Sequence, residues 1–408
     1  MNCRGCGHHI PEPLISMGNF PLSNAYRTKE ELHQTESFYP MDLYVCGWCW
    51  LVQLAAFEAA ENIFTKDYPY FSSCSESWLK YCRDYAISAI KRFRLTPHSL
   101  VVEIGSNDGY LLQYFKEAGI PVLGIDPAVL ASRKALDKGI PTETTFFDTA
   151  FARDLLSRGL QADLIIANNV LPHNPRLHEF IAGLRLVLKP GCSATLEFPH
   201  LQQLITQNQF DTIYQEHYSY FSLGSVAKLF CAHDLQIYDA ERIQTHGGSL
   251  RVYVKSGRCG LHPGSSNIGR ILDEEASAGL FQFQTYFEFW EKTKKIKRDM
   301  LQLLIAVKNQ GRKIVGYGAP AKGNTLLNFC GISTDFLDYT VDRNRYKQGL
   351  FLPGSHIPIK DPARLKADRP DYVLILPWNI KDEIMEQLSF IREWNGRFIV
   401  PIPDVTVI

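Results

Sequence analysis

Residues 101–112 read VVEIGSNDGYLL. The order is an apolar strand, a Gly-rich polar turn and the start of an apolar helix. Gly105 and Gly109 let a ligand come close to the backbone, and the first turn of a helix offers free N–H groups. Only G-x-x-x-G is present, so the turn is a weak match to a dinucleotide fingerprint.

The same alternation runs outward from this stretch. SLVVEIG (99–105), PVLGID (121–126), ADLIIAN (162–168) and SATLEF (193–198) read as buried parallel strands, with helices near 109–118, 128–138 and 175–188 between them. LQIYDAERI (235–243) and SLRVYVKS (249–256) alternate with period two, as an antiparallel edge pair does. Together these predict a doubly wound α/β domain, preceded by a helix over about 77–93. The polar stretch SGRCGLHPGSSN breaks the pattern, and a helix over about 269–308 follows. KIVGYG, DYTVD, YVLILP and RFIVPI then supply strands of a second α/β unit, with helices near 321–329 and 380–393. The predicted blocks are therefore 1–66, 67–256 and 257–408.

The first block carries two CxxC pairs, Cys3/Cys6 and Cys46/Cys49, 39 residues apart. Two thiolates from each complete a tetrahedral Zn²⁺ shell with no position left for water, which predicts a structural site. Free thiols or a redox pair are the alternative. Cys74, Cys82, Cys192, Cys231, Cys259 and Cys330 stand alone and are expected as small core residues. The 408 residues hold 43 Lys plus Arg against 43 Asp plus Glu, which gives no reason to expect nucleic acid or an anionic membrane as partner. MNCRGCGHHI lacks a signal-peptide pattern, and no run reaches the ~20 apolar residues of a membrane span. A soluble, cytoplasmic protein is expected, as a monomer or weak homodimer.

IYQEHYSYFS (213–222) packs Tyr214, Glu216, His217, Tyr218 and Tyr220 into ten residues. The rings recur at helical spacing and read equally as a packed stripe. Near the C-terminus, Gly316, Gly318 and Ala321 spell G-x-G-x-x-A between a strand and a helix, and Asp342 ends the next strand. Alone this is an NAD fingerprint. Lys322 and Gly323 at the helix start, with Asn324 and Thr325, suit a pyrophosphate better. A Rossmann half without ligand is the plain alternative. In THGGSLR, His246 and Ser249 precede an edge strand and Arg251 is placed to meet a phosphate; a tight turn with a solvated Arg is the alternative.

The turn EIGSNDG resembles motif I of class I S-adenosylmethionine methyltransferases. That resemblance implies cofactor contacts from Glu103, Gly105, Asn107, Asp108 and Gly109. It also implies ribose contacts from Asp126, 21 residues after Gly105, an adenine contact from Asp148 and a methionine-side contact from Asn168. The CxxC pairs, EIGSNDG, NNVLPHNP, EFPH, YQEHYSYFS, THGGSLR and YGAPAKGNTLLN, in this order, resemble the sugar C-methyltransferases that act on nucleotide-linked 4-keto-deoxysugars. The resemblance spans nearly the whole chain. It implies an α/β protein with an N-terminal zinc-binding module, a central class I methyltransferase Rossmann-like domain and a C-terminal Rossmann-like domain that binds the nucleotide. The family's Tyr-His-Glu-His segment here has Gln215 for its first His, and its N-V-L-A-H-V-P becomes NVLPHNP with His173 kept.

Such chemistry needs a base near neutral pKa to take a proton from C3 of the ketosugar, which imidazole supplies. The expectation is His217 as base, Glu216 orienting it or meeting substrate, Tyr214 donating to the developing oxyanion, and His173 sharing that role or holding the sugar. Either Tyr68 or Tyr70 is expected in the active site. Expected cofactors are S-adenosylmethionine and structural Zn²⁺, and the expected partner is a dTDP- or GDP-linked sugar. O- or N-methylation, or an NAD-dependent step, is the alternative.

Overall fold

The computed structural model describes residues 1–63, 71–74, 76–257 and 265–408. Two compact units share the chain: 1–11, 45–200 and 218–281 form the first, and 12–44, 201–217 and 282–408 the second.

The first unit is built on a seven-stranded sheet. Numbered along the chain, its strands are β1 (Val101–Ile104), β2 (Val122–Ile125), β3 (Thr142–Glu143), β4 (Ala162–Asn168), β5 (Leu188–Pro199), β6 (Leu235–Ile243) and β7 (Ser249–Ser256). They lie in the order β6-β7-β5-β4-β1-β2-β3. β1 to β5 pair in parallel, and β7 is antiparallel to both β5 and β6. All four residues of β1 and of β2 are buried, as a parallel sheet covered on both faces requires. On one face the helix Glu76–Phe93 sets Cys82, Tyr85, Ala86 and Ala89 against Val101, Leu112, Phe115, Leu164 and Ile166. Each fully buried Leu or Phe contributes about 1.5–3 kcal/mol. Strand order reverses between β1 and β4, the crevice where such sheets take ligands.

Away from that sheet, Val52–Leu54 pairs antiparallel with Ser219–Tyr220. Arg4 holds this pair by donating to the carbonyls of Leu54 and Tyr218, both at 2.7 Å.

The second unit has a six-stranded sheet in the order Ile359–Lys360, Thr340–Val341, Ile314–Tyr317, Tyr372–Ile375, Arg397–Val400, Thr406–Val407, parallel except for the last strand. The hairpin Ile15–Phe20/Tyr39–Val45 belongs to this unit for all but its last residue. Where one helix is predicted near 269–308 there are two, Ser266–Ser277 and Phe283–Asn309. Gly279, at φ 73°, turns the chain after the first, in a conformation other residues adopt only at a cost. No helix among the described residues is long and apolar enough to cross a membrane. Cys82 and Cys330 are buried thiols, but Cys231 is exposed and disulfide-bonded rather than a core thiol. Cys259 lies outside the described residues.

Gly109, at φ 73°, leaves no room for a side chain: an added Cβ would lie 2.4 Å from Ile140 Cδ1. Gly109→Ala is expected to destabilise the fold by about 1–3 kcal/mol, read as a lower urea midpoint.

Candidate active site

The loop after β1 is shaped by one carboxylate. Asp126, at the end of β2, accepts the Asn107 amide through Oδ2 and the Ala128 amide through Oδ1, each at 2.8 Å. Asn107 thereby holds φ 47°, and its own side-chain oxygen accepts the Ser72 amide at 2.9 Å. The Asp108 carboxylate accepts Ser73 Oγ, and the Lys138 ammonium lies 3.7 Å away. Gly105, at φ 70°, abuts Val170, whose Cγ2 lies 2.4 Å from where a Cβ would sit.

Several polar atoms here are buried without a hydrogen bond among the described residues: Ser106 Oγ, Asp108 Oδ1, and both amide atoms of Asn168 at the end of β4. Such atoms cost free energy unless a ligand or water meets them. They belong to the loop after β1 and to the end of β4. Glu103 is completely buried; burial pushes its carboxyl well above the usual range, and the charges of Asp126, Asp108 and Glu197 add to that. Burial also raises Asp126 to about 6 against its two amide hydrogen bonds. The donor set fits S-adenosylmethionine: Asp126 would take the ribose hydroxyls, and Asp108 and Asn168 the polar methionine end. Asp148 caps the helix Thr149–Ser157 by accepting the Phe151 amide at 2.8 Å.

Cys3, Cys6, Cys46 and Cys49 come together with their Sγ atoms all within 4.8 Å of one another. The Cys3–Cys49 and Cys6–Cys46 separations are 3.5 and 3.6 Å. A tetrahedral zinc with ~2.3 Å bonds sets its sulfurs about 3.8 Å apart, so four thiolates fit the ion. The Gly5 amide and the Gln53 side chain donate to Cys3 Sγ, which favours its thiolate.

The 213–217 segment lies in the second unit. Phe210–Thr212 forms a short 3-10 turn, and His217 folds back on it. His217 Nδ1 lies 3.0 Å from the Thr212 carbonyl. A carbonyl only accepts, so Nδ1 carries a hydrogen, and in the neutral ring Nε2 keeps its lone pair. Nε2 lies 2.9 Å from the Tyr214 hydroxyl, which donates to it, and the two rings stack at 4.1 Å. Glu216 is buried and accepts Asn24 Nδ2 at 2.8 Å. Gln215 donates to the Phe20 carbonyl at 2.9 Å. Asn24 and Thr212 were not among the sequence candidates. Asn24 lies 192 residues from Glu216, in a block with little periodicity, and Thr212 acts through its backbone, so neither leaves a local signal.

The remaining candidates are spread over both units. In the first, His173 ends the turn Leu171–His173. Arg251 is buried, its guanidinium held by Glu197, Glu241 and Tyr81. Ser249 Oγ donates to the Thr245 carbonyl at 3.1 Å. Tyr68, Tyr70 and the His246 side chain lie outside what is described. In the second unit, Lys322 donates to Asn379 at 2.9 Å and lies 4.7 Å over the Trp378 ring; burial draws its pKa down and Asp211 opposes this. Asn324 donates to the Ser23 carbonyl at 2.6 Å. A Cβ on Gly318 would meet Pro377 at 2.6 Å and one on Gly323 would meet Leu376 at 2.9 Å. Both glycines thus make room for the chain's own packing. The Ala319 amide is taken by Asp342 at 2.7 Å, and its carbonyl by Tyr26 and Lys347.

The first unit's sheet, with a Gly loop after β1, an acid after β2 and the antiparallel β7, is of the form used by S-adenosylmethionine-dependent methyltransferases, and the pattern of the methyltransferase domain matches residues 78–240. That of the C-methyltransferase C-terminal domain matches 244–403, and one described as a zinc binding domain matches 3–64. C-methyltransferase NovU of Streptomyces niveus is 36% identical over 406 residues, covering 100% of this chain and 96% of that one. The chain belongs to the S-adenosylmethionine-dependent C-methyltransferase family. Two solved structures resemble it at lower identity. The magnesium protoporphyrin IX methyltransferase of Synechocystis PCC 6803 with bound S-adenosylmethionine is 16% identical, over 44% of this chain and 79% of its own, at TM-score 0.34. The methyltransferase in complex with the Haloferax volcanii Trm112 activator is 14% identical, over 45% and 95%, at TM-score 0.35.

Two outcomes are expected. Cys6→Ser should lower both the zinc content per chain, read by atomic emission, and Tm. Because the folded pKa of Asp126 is raised, protonation favours the ligand-free fold, and ionisation through about pH 6 works against it. Ribose hydroxyls need the ionised form. Affinity for S-adenosylhomocysteine, by calorimetry, should therefore fall by up to about tenfold per pH unit below about 6, and Asp126→Asn should flatten that dependence.

Proposed function

We propose that the enzyme methylates C3 of a nucleotide-linked 4-keto-deoxyhexose, dTDP- or GDP-linked, by way of an enolate. The observation that carries this is the His217 ring: its Nδ1–H is committed to the Thr212 carbonyl, so Nε2 stands as a base. Carbon becomes a nucleophile only after losing a proton, and hydrogen next to a carbonyl is acidic enough for imidazole to remove. S-adenosylmethionine, when bound, supplies the electrophilic methyl group.

His217 Nε2 takes the C3 proton. Tyr214, which donates to Nε2 in the resting ring pair, turns its hydroxyl to the oxygen at C4 as charge develops there. A preorganised donor of this kind is worth ~3 kcal/mol. Glu216, oriented by Asn24, holds a sugar hydroxyl or steadies the imidazolium. His173 is the second donor to the sugar, and Tyr68 or Tyr70 contributes from the preceding segment. The nucleotide end is assigned to the loop of Gly318, Lys322, Gly323 and Asn324, where Lys322 would exchange Asn379 for phosphate. Arg251 has no part in this, since its donors are spent on Glu197 and Glu241. An NAD-dependent step finds little support, because the amide and carbonyl of Ala319 in the G-x-G-x-x-A loop are matched within the chain.

The decisive experiment incubates the protein with 3-deuterated dTDP- and GDP-4-ketohexoses and S-adenosylmethionine, with products read by mass spectrometry. The expected product gains one methyl group and loses the C3 deuterium; retention of deuterium would mean O- or N-methylation. His217→Asn should lower kcat by about 10²-fold or more while affinity for S-adenosylhomocysteine is kept.

A further inference from the structure

We infer that Asp211 is a positioning residue for His217: it anchors the turn that presents the Thr212 carbonyl, on which the tautomer of the ring depends. This takes His217 to be the base, as proposed above.

Asp211 is fully buried, and the charge of Lys322 favours its ionised form. Its Oδ2 accepts the indole N–H of Trp378 at 2.6 Å. The cation facing it is Lys322, itself fixed by Asn379 and the Trp378 ring. On the same turn Phe210 packs against Phe329 at 5.0 Å between ring centroids. The next residue is pinned from behind. The Thr212 amide and hydroxyl both donate to the Gln209 carbonyl, at 3.1 and 2.7 Å. With those groups turned inward, the Thr212 carbonyl points to His217 Nδ1 at 3.0 Å.

Carboxylates are rarely buried unless paired and hydrogen-bonded. Here the hydrogen-bond partner, Trp378, lies in the turn Trp378–Ile380 after the strand Tyr372–Ile375, and the nearby charge comes from Lys322 on the helix Ala321–Cys330. Asp211 therefore transmits the position of that framework to a single backbone oxygen. If the anchor is lost, Nδ1–H loses a fixed acceptor. A neutral imidazole in water favours the other tautomer, with hydrogen on Nε2, and in that form the ring cannot take a proton from carbon at that atom.

The test uses the full-length protein with ¹⁵N-labelled histidine, His217 being identified by the signal missing from His217→Asn. Long-range ¹H–¹⁵N correlation above the ring's titration reads the tautomer, and steady-state kinetics read kcat and KM. Wild type is expected to show the Nδ1–H pattern. Asp211→Ala and Trp378→Phe should shift His217 toward Nε2–H and lower kcat by about tenfold or more, with KM for both substrates within about threefold. Asp211→Asn, which keeps an acceptor for the indole, should restore most of the tautomer and the rate. Should Asp211→Ala not fold, Trp378→Phe carries the same comparison. An unchanged Nδ1–H pattern in the variants overturns the positioning role, whatever happens to kcat. Full turnover by His217→Asn would instead sink the base assignment, and the spectra distinguish the two failures.

Discussion

A backbone carbonyl can accept a hydrogen bond but never donate one. The 3.0 Å contact between the Thr212 carbonyl and His217 Nδ1 therefore puts a hydrogen on Nδ1 and leaves Nε2 as the nitrogen that is basic when the ring is neutral. The neighbouring contacts are arranged around that hydrogen bond. Tyr214 faces the lone pair, Glu216 is held by Asn24, and the Phe210–Thr212 turn is bound to Trp378 through Asp211. Through one oxygen this geometry fixes the tautomer of the neutral ring and its orientation.

The two Gly-rich loops make an instructive pair. Both follow a parallel strand, and in both an acid at the end of the next strand accepts a loop amide: Asp126 from Asn107, and Asp342 from Ala319. They differ in what is left over. Around the first, Ser106, Asp108 and Asn168 keep buried polar atoms unmatched among the described residues. At the second, Ala319 is matched on both sides and the glycine clearances are filled by Pro377 and Leu376. The backbone of the second loop is thus more fully matched within the chain than the first, although Asn324 Oδ1 there also lacks a hydrogen bond among the described residues.

Most of the central sheet was legible in the sequence because its strands are buried on both faces and read as apolar runs. The hairpin Ile15–Phe20/Tyr39–Val45 was not, since its register shifts between Ser16 and Asn19 and the bulge destroys the two-residue alternation. The break after residue 277 was also hidden, because a lone glycine within a helical pattern is not a stop by itself. Among the candidate site residues, side chains at strand ends, such as Glu103 and Asp126, were named through the resemblance of EIGSNDG to motif I. Thr212 was not, since a backbone oxygen has no letter. Arg251 looked like a phosphate ligand because its partners Glu197, Glu241 and Tyr81 are distant in sequence.

Arg4 has a consequence for how the chain is made. Its two carbonyl acceptors lie 50 and 214 residues downstream, so the N-terminal knuckle cannot close its contacts until the 218th residue has left the ribosome. At typical synthesis rates that delay is on the order of ten seconds or more. All four cysteines lie within the first 49 residues, so the metal shell can close long before Arg4 finds Tyr218. Contacts of such long sequence separation slow folding, and here they tie assembly of the first few residues to the middle of the polypeptide.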